Sequence, residues 1–289
     1  MTACADVVTT VTDWYNWVLV ATVPGVYFRK SADIEDTHRV MTQSVDDLKA
    51  RIQSRSALGE RIGVIGANGS QWYATFNLAD DPCRVGVGAS ASGVKDEDFD
   101  QLFMVFTTYE QLQEAWKDRS GKMTITQLAS VGNKIGALFQ PMLPKERCNL
   151  FWHKGELTAT TLMEPKNRAN MGLVTATYFS LEDKWVMVFS DQAPTAEKWS
   201  VGPELDRNFV QKGFRDGFFL RHIVAGPGQW LALMQKGSHM SDAKQSVTCL
   251  KSNPKDFELK WWREKYVITC AAGNFPLSGI AHCALPMVR

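Results

Sequence analysis

Apolar residues in this chain come in short runs separated by glycine-marked turns, and two neighbouring stretches show the arrangement most clearly. They are GFFLRHIVAGPGQWLALMQKG at 217–237 and KYVITCAAGNFPLSGIAHCALP at 265–286. Each holds an apolar run, a turn, and a second apolar run opened by a bulky residue, which is the pattern of a β-hairpin with a loop of several residues. The same frame recurs at 172–191 (GLVTATYFSLEDKWVMVFSD), 122–141 (KMTITQLASVGNKIGALFQP), 61–80 (RIGVIGANGSQWYATFNLAD) and 17–32 (WVLVATVPGVYFRKSA). The bulky residue is Tyr27, Trp72, Ile135, Trp185, Trp230 and Ile280 in turn, about 46 positions apart with one longer interval.

Between the hairpins lie a polar strand-like piece and a short segment of helical spacing. NPKDFELKWWREKY (253–266) places Phe257, Trp261 and Trp262 on one face, with Pro254 suited to a first turn. YEQLQEAWKDRSG does the same with Leu112, Ala115 and Trp116, ELDRNFVQKGFRDG with Leu205, Phe209 and Val210, and SVDDLKARI opens on Ser44 as an N-cap.

The expected fold is therefore mainly β: a six-unit, β-propeller-like closed repeat array with a short helical turn in each unit. It forms a single domain over 1–289. The units fall near 16–60, 61–121 with an insertion at 81–102, 122–171, 172–216, 217–264 and 265–289, the last closed by 1–15. In that scheme 5–10 pairs with the strand at 277–285, since a ring that completes its last unit with its first strand leaves no exposed edge.

The frame of a Trp-bearing helical turn, then GFFLRH or KYVIT, a glycine-marked turn, QWLALMQKG and KQSV resembles the C-terminal repeats of plant nuclear protein kinases related to casein kinase I. The match is best over 172–270. The resemblance implies a non-catalytic module that accompanies other functions; the kinase part itself is absent, with no Gly-rich phosphate loop, HRD or DFG in the chain.

Composition changes this picture little. Lys plus Arg number 32 against 31 Asp plus Glu, so net charge gives no indication of a nucleic-acid partner. The longest apolar stretches are too short to span a bilayer, and Asp6 and Asp13 break what would be a secretion signal, which argues for a cytoplasmic or nuclear protein without membrane insertion. Six scattered cysteines without a CxxC pair, and five histidines each far from the next, give no metal site and no cofactor.

Candidate chemistry is sparse. Trp72, Trp185 and Trp230 at the start of the second strand, and Trp116 and Trp262 in the helical turn, repeat at fixed places and read as packing between units. A polar position in the first strand holds Thr126, Thr175, Arg221 and Thr269, which in a ring would form a circle around the axis and mark a ligand- or partner-binding spot, Arg221 above all. The expected function is a non-catalytic interaction or scaffold module whose loops bind a protein partner or larger complex. The alternatives are a propeller enzyme with an axial active site and a small-ligand or glycan binder with aromatic sites.

Overall fold

The computed structural model describes residues 17–23, 39–58, 60–68, 70–78, 101–142, 148–191, 193, 196–236, 244–250 and 267–272. In chain order the elements are β1 (Trp17–Val23), β2 (Arg39–Thr42), α1 (Val45–Ser56), β3 (Glu60–Ala67), β4 (Trp72–Leu78), β5 (Leu102–Phe106), α2 (Tyr109–Lys117), β6 (Met123–Val131) and β7 (Lys134–Pro141). There follow β8 (Leu150–Gly155), α3 (Ala159–Ala169), β9 (Gly172–Phe179), β10 (Lys184–Ser190), β11 (Glu197–Gly202), α4 (Arg207–Arg215), β12 (Phe219–Gly226), β13 (Gln229–Gln235), β14 (Lys244–Leu250) and β15 (Val267–Ala272).

The helices start where the sequence offers a cap. Ser44, Thr108, Thr158 and Asp206 are extended N-cap residues whose side chains accept from the backbone N–H three positions on. Four positions after each cap comes Leu48, Leu112, Leu162 or Val210, each at most 1% exposed, so a polar stop and an apolar anchor repeat together. The sequence pattern found α1, α2 and α4. It gave no signal for α3, whose interior Pro165 and threonine-rich first turn weaken the helical pattern. The 253–266 segment lies outside the described residues.

The strands form five three-stranded antiparallel sheets: β2-β4-β3, β5-β7-β6, β8-β10-β9, β11-β13-β12 and β14-β1-β15, numbered here sheets 1 to 5. In sheets 1 to 4 the helix lies between the outer strand and the inner one, and the inner and middle strands form a hairpin. Each strand preceding a helix thus pairs with the hairpin that follows it, not with the one before. Inner strands touch in succession: β3 with β6, β6 with β9, β9 with β12, β12 with β15, and β15 with β3.

Against the six units expected, the described residues form five sheets. The segments 17–32 and 265–286 looked like hairpins of separate units, but β1 and β15 are neighbours in sheet 5, with β1 in the middle place that the second hairpin strand takes elsewhere. A hairpin pattern records only that a strand is apolar and followed by a turn; it does not say which strand pairs with it. Trp17–Val23 shares a sheet with Val267–Ala272. The proposed pairing of 5–10 with 277–285, and positions 81–100 of the insertion expected at 81–102, lie outside the described residues, while Leu102 already begins β5.

The core sits between sheets. Trp72 is fully buried and packs across the junction against Phe103, Ala129 and Leu138 of sheet 2, with the Phe103 ring edge-on at 6.1 Å. Gly136 makes room for it: a Cβ there would lie 2.7 Å from the indole. Trp185 repeats the device one junction further on, against sheet 4, where a Cβ on Gly226 would lie 2.6 Å from its ring. These aromatics supply the non-directional burial that holds one sheet to the next.

Candidate functional site

The residues singled out from sequence as a binding spot, Thr126, Thr175, Arg221 and Thr269, lie on the inner strands, and each inner strand has a β-bulge. The extra residue is Gly63 in β3, Thr126 in β6, Val174 in β9, Arg221 in β12 and Thr269 in β15. Thr126, Arg221 and Thr269 therefore share one position, but Thr175 stands one place later, so the four do not form a single circle. A bulge shifts every following side chain by one, and no residue type in these strands announces it.

The place after the bulge holds Gln127, Thr175 and His222, and all three do the same thing. Gln127 Oε1 accepts from Ile65 N–H at 2.7 Å while its Nε2 donates to Gly63 C=O at 2.8 Å. Thr175 Oγ1 accepts from Leu128 N–H at 2.9 Å. His222 Nε2 lies 3.3 Å from Ala176 N and 3.2 Å from Ala176 O. In every case the partner is the residue two places after the bulge of the preceding sheet, or the bulge carbonyl itself. A bulge leaves a backbone group without its ladder partner, and an unmade buried hydrogen bond costs about 1–3 kcal/mol. The next sheet supplies the missing partner.

Thr175 is accordingly a fully buried junction residue and not a ligand contact, and Thr126, 4% exposed, donates to Leu138 C=O at 3.4 Å. Arg221 keeps part of its surface in solvent beside His222. The His222 ring is packed into the junction although the residue keeps some exposure. Its burial, reinforced by the Arg221 guanidinium and opposed by the bond to Ala176, pulls its pKa down to about 4. The Thr269 side chain lies outside the described residues. Sequence reasoning missed Gln127 and His222 as members of this set; their signal was a polar side chain in an otherwise apolar inner strand.

A second set of bonds spans the same junctions nearer one end of the sheets. Gln101 clamps Ile62, accepting from its N–H at 2.7 Å and donating to its C=O at 3.1 Å. Between sheets 3 and 4 two residues share that task for Leu173: Glu197 Oε2 accepts from its N–H at 3.1 Å and Gln235 Nε2 donates to its C=O at 3.2 Å. Burial pushes the Glu197 carboxyl up to about 7, against the pull of Gln235, the Leu173 N–H and the Lys166 charge.

Trp72, Trp185 and Trp230 are 0%, 4% and 5% exposed, so none offers a face to a sugar or base; Trp116 is half-buried against Trp152 at 5.9 Å, and Trp262 lies outside the described residues. Among the described residues no group of three or more His, Cys, Asp or Glu side chains could hold a metal ion. No helix among them is long and apolar enough to cross a membrane.

Sheet 4 carries a different kind of surface. Lys198 of β11 donates to Asp216 Oδ2 at 2.7 Å, and its Nζ lies 4.3 Å from the centre of the Phe218 ring. Lys236, just after β13, has its Nζ 5.8 Å from the same ring, and Lys212 and Arg215 stand in the last turn of α4. The Lys198 hydrogen bond holds the Asp216 carboxyl below its usual range, helped by the charges of Lys198, Lys212 and Lys236. Asp216, Lys212, Arg215 and Lys236 are exposed, and Phe218 is half-buried. On the other face of β11 Lys166 lies over the Trp199 ring at 5.4 Å.

No protein-family model and no curated protein matches the chain.

Proposed function

We propose that the chain is a propeller-like scaffold of five sheets that binds a macromolecular partner, most simply a protein, through side chains and loops on its rim. The observation that carries this reading is the repeated bond from Gln127, Thr175 and His222 to the backbone of the preceding sheet. It spends the polar groups of the inner strands on fixing sheet to sheet, while lysines and aromatic rings are left at the surface of sheet 4. Rigid scaffolds of this kind present recognition residues on their periphery. The resemblance of 172–270 to the region that accompanies a kinase in plant nuclear enzymes favours the same class, and with it a cytoplasmic or nuclear setting.

The test is affinity capture from native cells with the full chain and with a variant lacking 81–100, read by quantitative mass spectrometry. A partner recovered in near-stoichiometric amount by the full chain supports the module. Equal recovery by the shortened chain removes the insertion as the contact, and failure of the full chain to retain any protein specifically removes the reading itself.

A further inference from the structure

We infer that the face of sheet 4 built from Lys198, Lys212, Arg215, Phe218 and Lys236 docks an acidic peptide segment of a protein partner. The inference rests on the interaction-module reading and adds the chemistry of the partner. Cations in the last turn of a helix complement its dipole, so Lys212 and Arg215 alone would carry no meaning. Lys198 and Lys236 come from strand ends, where no dipole calls for them; both reach the Phe218 ring and, with Lys212, act on the Asp216 carboxylate, while Arg215 stands next to it in the chain.

Asp216 shows how the surface receives a carboxylate. Its Oδ2 sits 2.7 Å from Lys198 Nζ, with Lys212 and Lys236 acting on the same group. One carboxylate against three lysines and an arginine leaves positive charge in surplus, whereas the last-turn cation of α1, Arg55, is paired with Glu60 at 3.3 Å. The half-buried Phe218 ring between the amines gives an apolar contact in the middle of the charge. A segment with carboxylates on both sides of an apolar side chain matches that layout, and such complementarity sets specificity and association rate.

A nucleic acid fits less well. A duplex presents one charge about every 1.7 Å along its axis and rewards an extended track of cations. This surface is compact and has a carboxylate at its centre, on a chain whose formal net charge is +1.

The experiment titrates the full chain into a fluorescein-labelled peptide of glutamates around one phenylalanine, followed by polarisation. Replacing Lys212 and Lys236 together by glutamate weakens binding by about tenfold or more; replacing both by arginine changes it by less than about twofold. Lys117→Glu on α2 leaves it unchanged, and added salt weakens it in the wild type. Thermal unfolding confirms that each variant folds, and Lys212→Glu alone, at an exposed helical site, is read if the pair does not. Undiminished peptide binding by the glutamate variants overturns the inference, as does tighter binding of a duplex oligonucleotide that is lost with the same variants. Capture from cells separates the two readings: a partner retained equally by wild type and glutamate variant overturns the docking surface and leaves the module, while no partner for either overturns the module.

Discussion

The junctions between sheets 1 to 4 and the junction between sheets 5 and 1 are built differently. Each of the first three has a polar side chain in the place after the bulge, Gln127, Thr175 or His222, bonded to the backbone of the preceding sheet. Where β15 meets β3, that place is held by Val64, 3% exposed and without a hydrogen-bonding group. This is also the junction reached across the sheet that β1 completes from the start of the chain. Sheets 1 to 4 are thus latched to one another by side-chain to backbone bonds, while sheet 5 meets sheet 1 where β15 packs against β3 and is held together internally by main-chain pairing of β1 with β14 and β15. Directional bonds set register between neighbours that fold locally; the one long-range join relies on the β ladder.

The contrast can be broken most severely through the aromatic packing beneath the latches. Trp72→Ala removes the indole shared by sheets 1 and 2 and lowers stability by about 4 kcal/mol, read from chemical denaturation. A smaller loss leaves Gly136, with no Cβ in its way, unexplained.

The Leu173 clamp gives the next effect. A carboxyl raised from 4.5 to about 7 in the fold is favoured protonated, so its contribution is fully present below pH 4.5 and is lost as pH rises through 7. The fall is on the order of 3 kcal/mol for a shift of this size in a buried group. Glu197→Gln, which copies the amide of Gln101, flattens the stability profile between those values and raises stability under alkaline conditions. An unchanged profile would show that Glu197 is not desolvated by the junction.

Thr175→Val keeps the shape of the latch and removes its acceptor, leaving Leu128 N–H unpaired. The expected loss is about 2 kcal/mol in denaturant titration, with the melting transition remaining single. His222 acts in the opposite pH direction to Glu197: with its pKa drawn from 6.5 to about 4, its contribution is present above 6.5 and is lost as pH falls through 4. His222→Gln removes that acid-side slope. The smallest effect tests the comparison directly: Val64→Thr places a hydroxyl where Thr175 has one and gains about 1 kcal/mol by completing the missing latch. A loss would mean that the β15 backbone offers no donor there.

Much of the fold was legible because it rests on local chemistry. The hairpins β3-β4, β6-β7, β9-β10 and β12-β13 appear where apolar runs are separated by short turns, and Ser44 caps a helix for the reason its side chain suggests. Trp72 and Trp185 repeat because they fill equivalent inter-sheet spaces. The candidate ring of Thr126, Thr175, Arg221 and Thr269 was not legible, since one inserted residue per inner strand changes which side chains are equivalent. The lysine and Phe218 surface was hidden for another reason: its members are spread from 198 to 236 and meet only when β11, α4 and β13 are assembled.

The sequence by itself determined the β-rich repeat, the helix starts and the residues that must be buried, because propensity, capping and burial depend on near neighbours and side-chain type. Tertiary structure decided that the described strands fall into five sheets, that Trp17–Val23 lies between β14 and β15, and which polar residues are latches and which remain at the surface. Those outcomes depend on strand pairing and bulge position across the chain, where backbone hydrogen bonds are the same for every residue and carry no mark in the sequence.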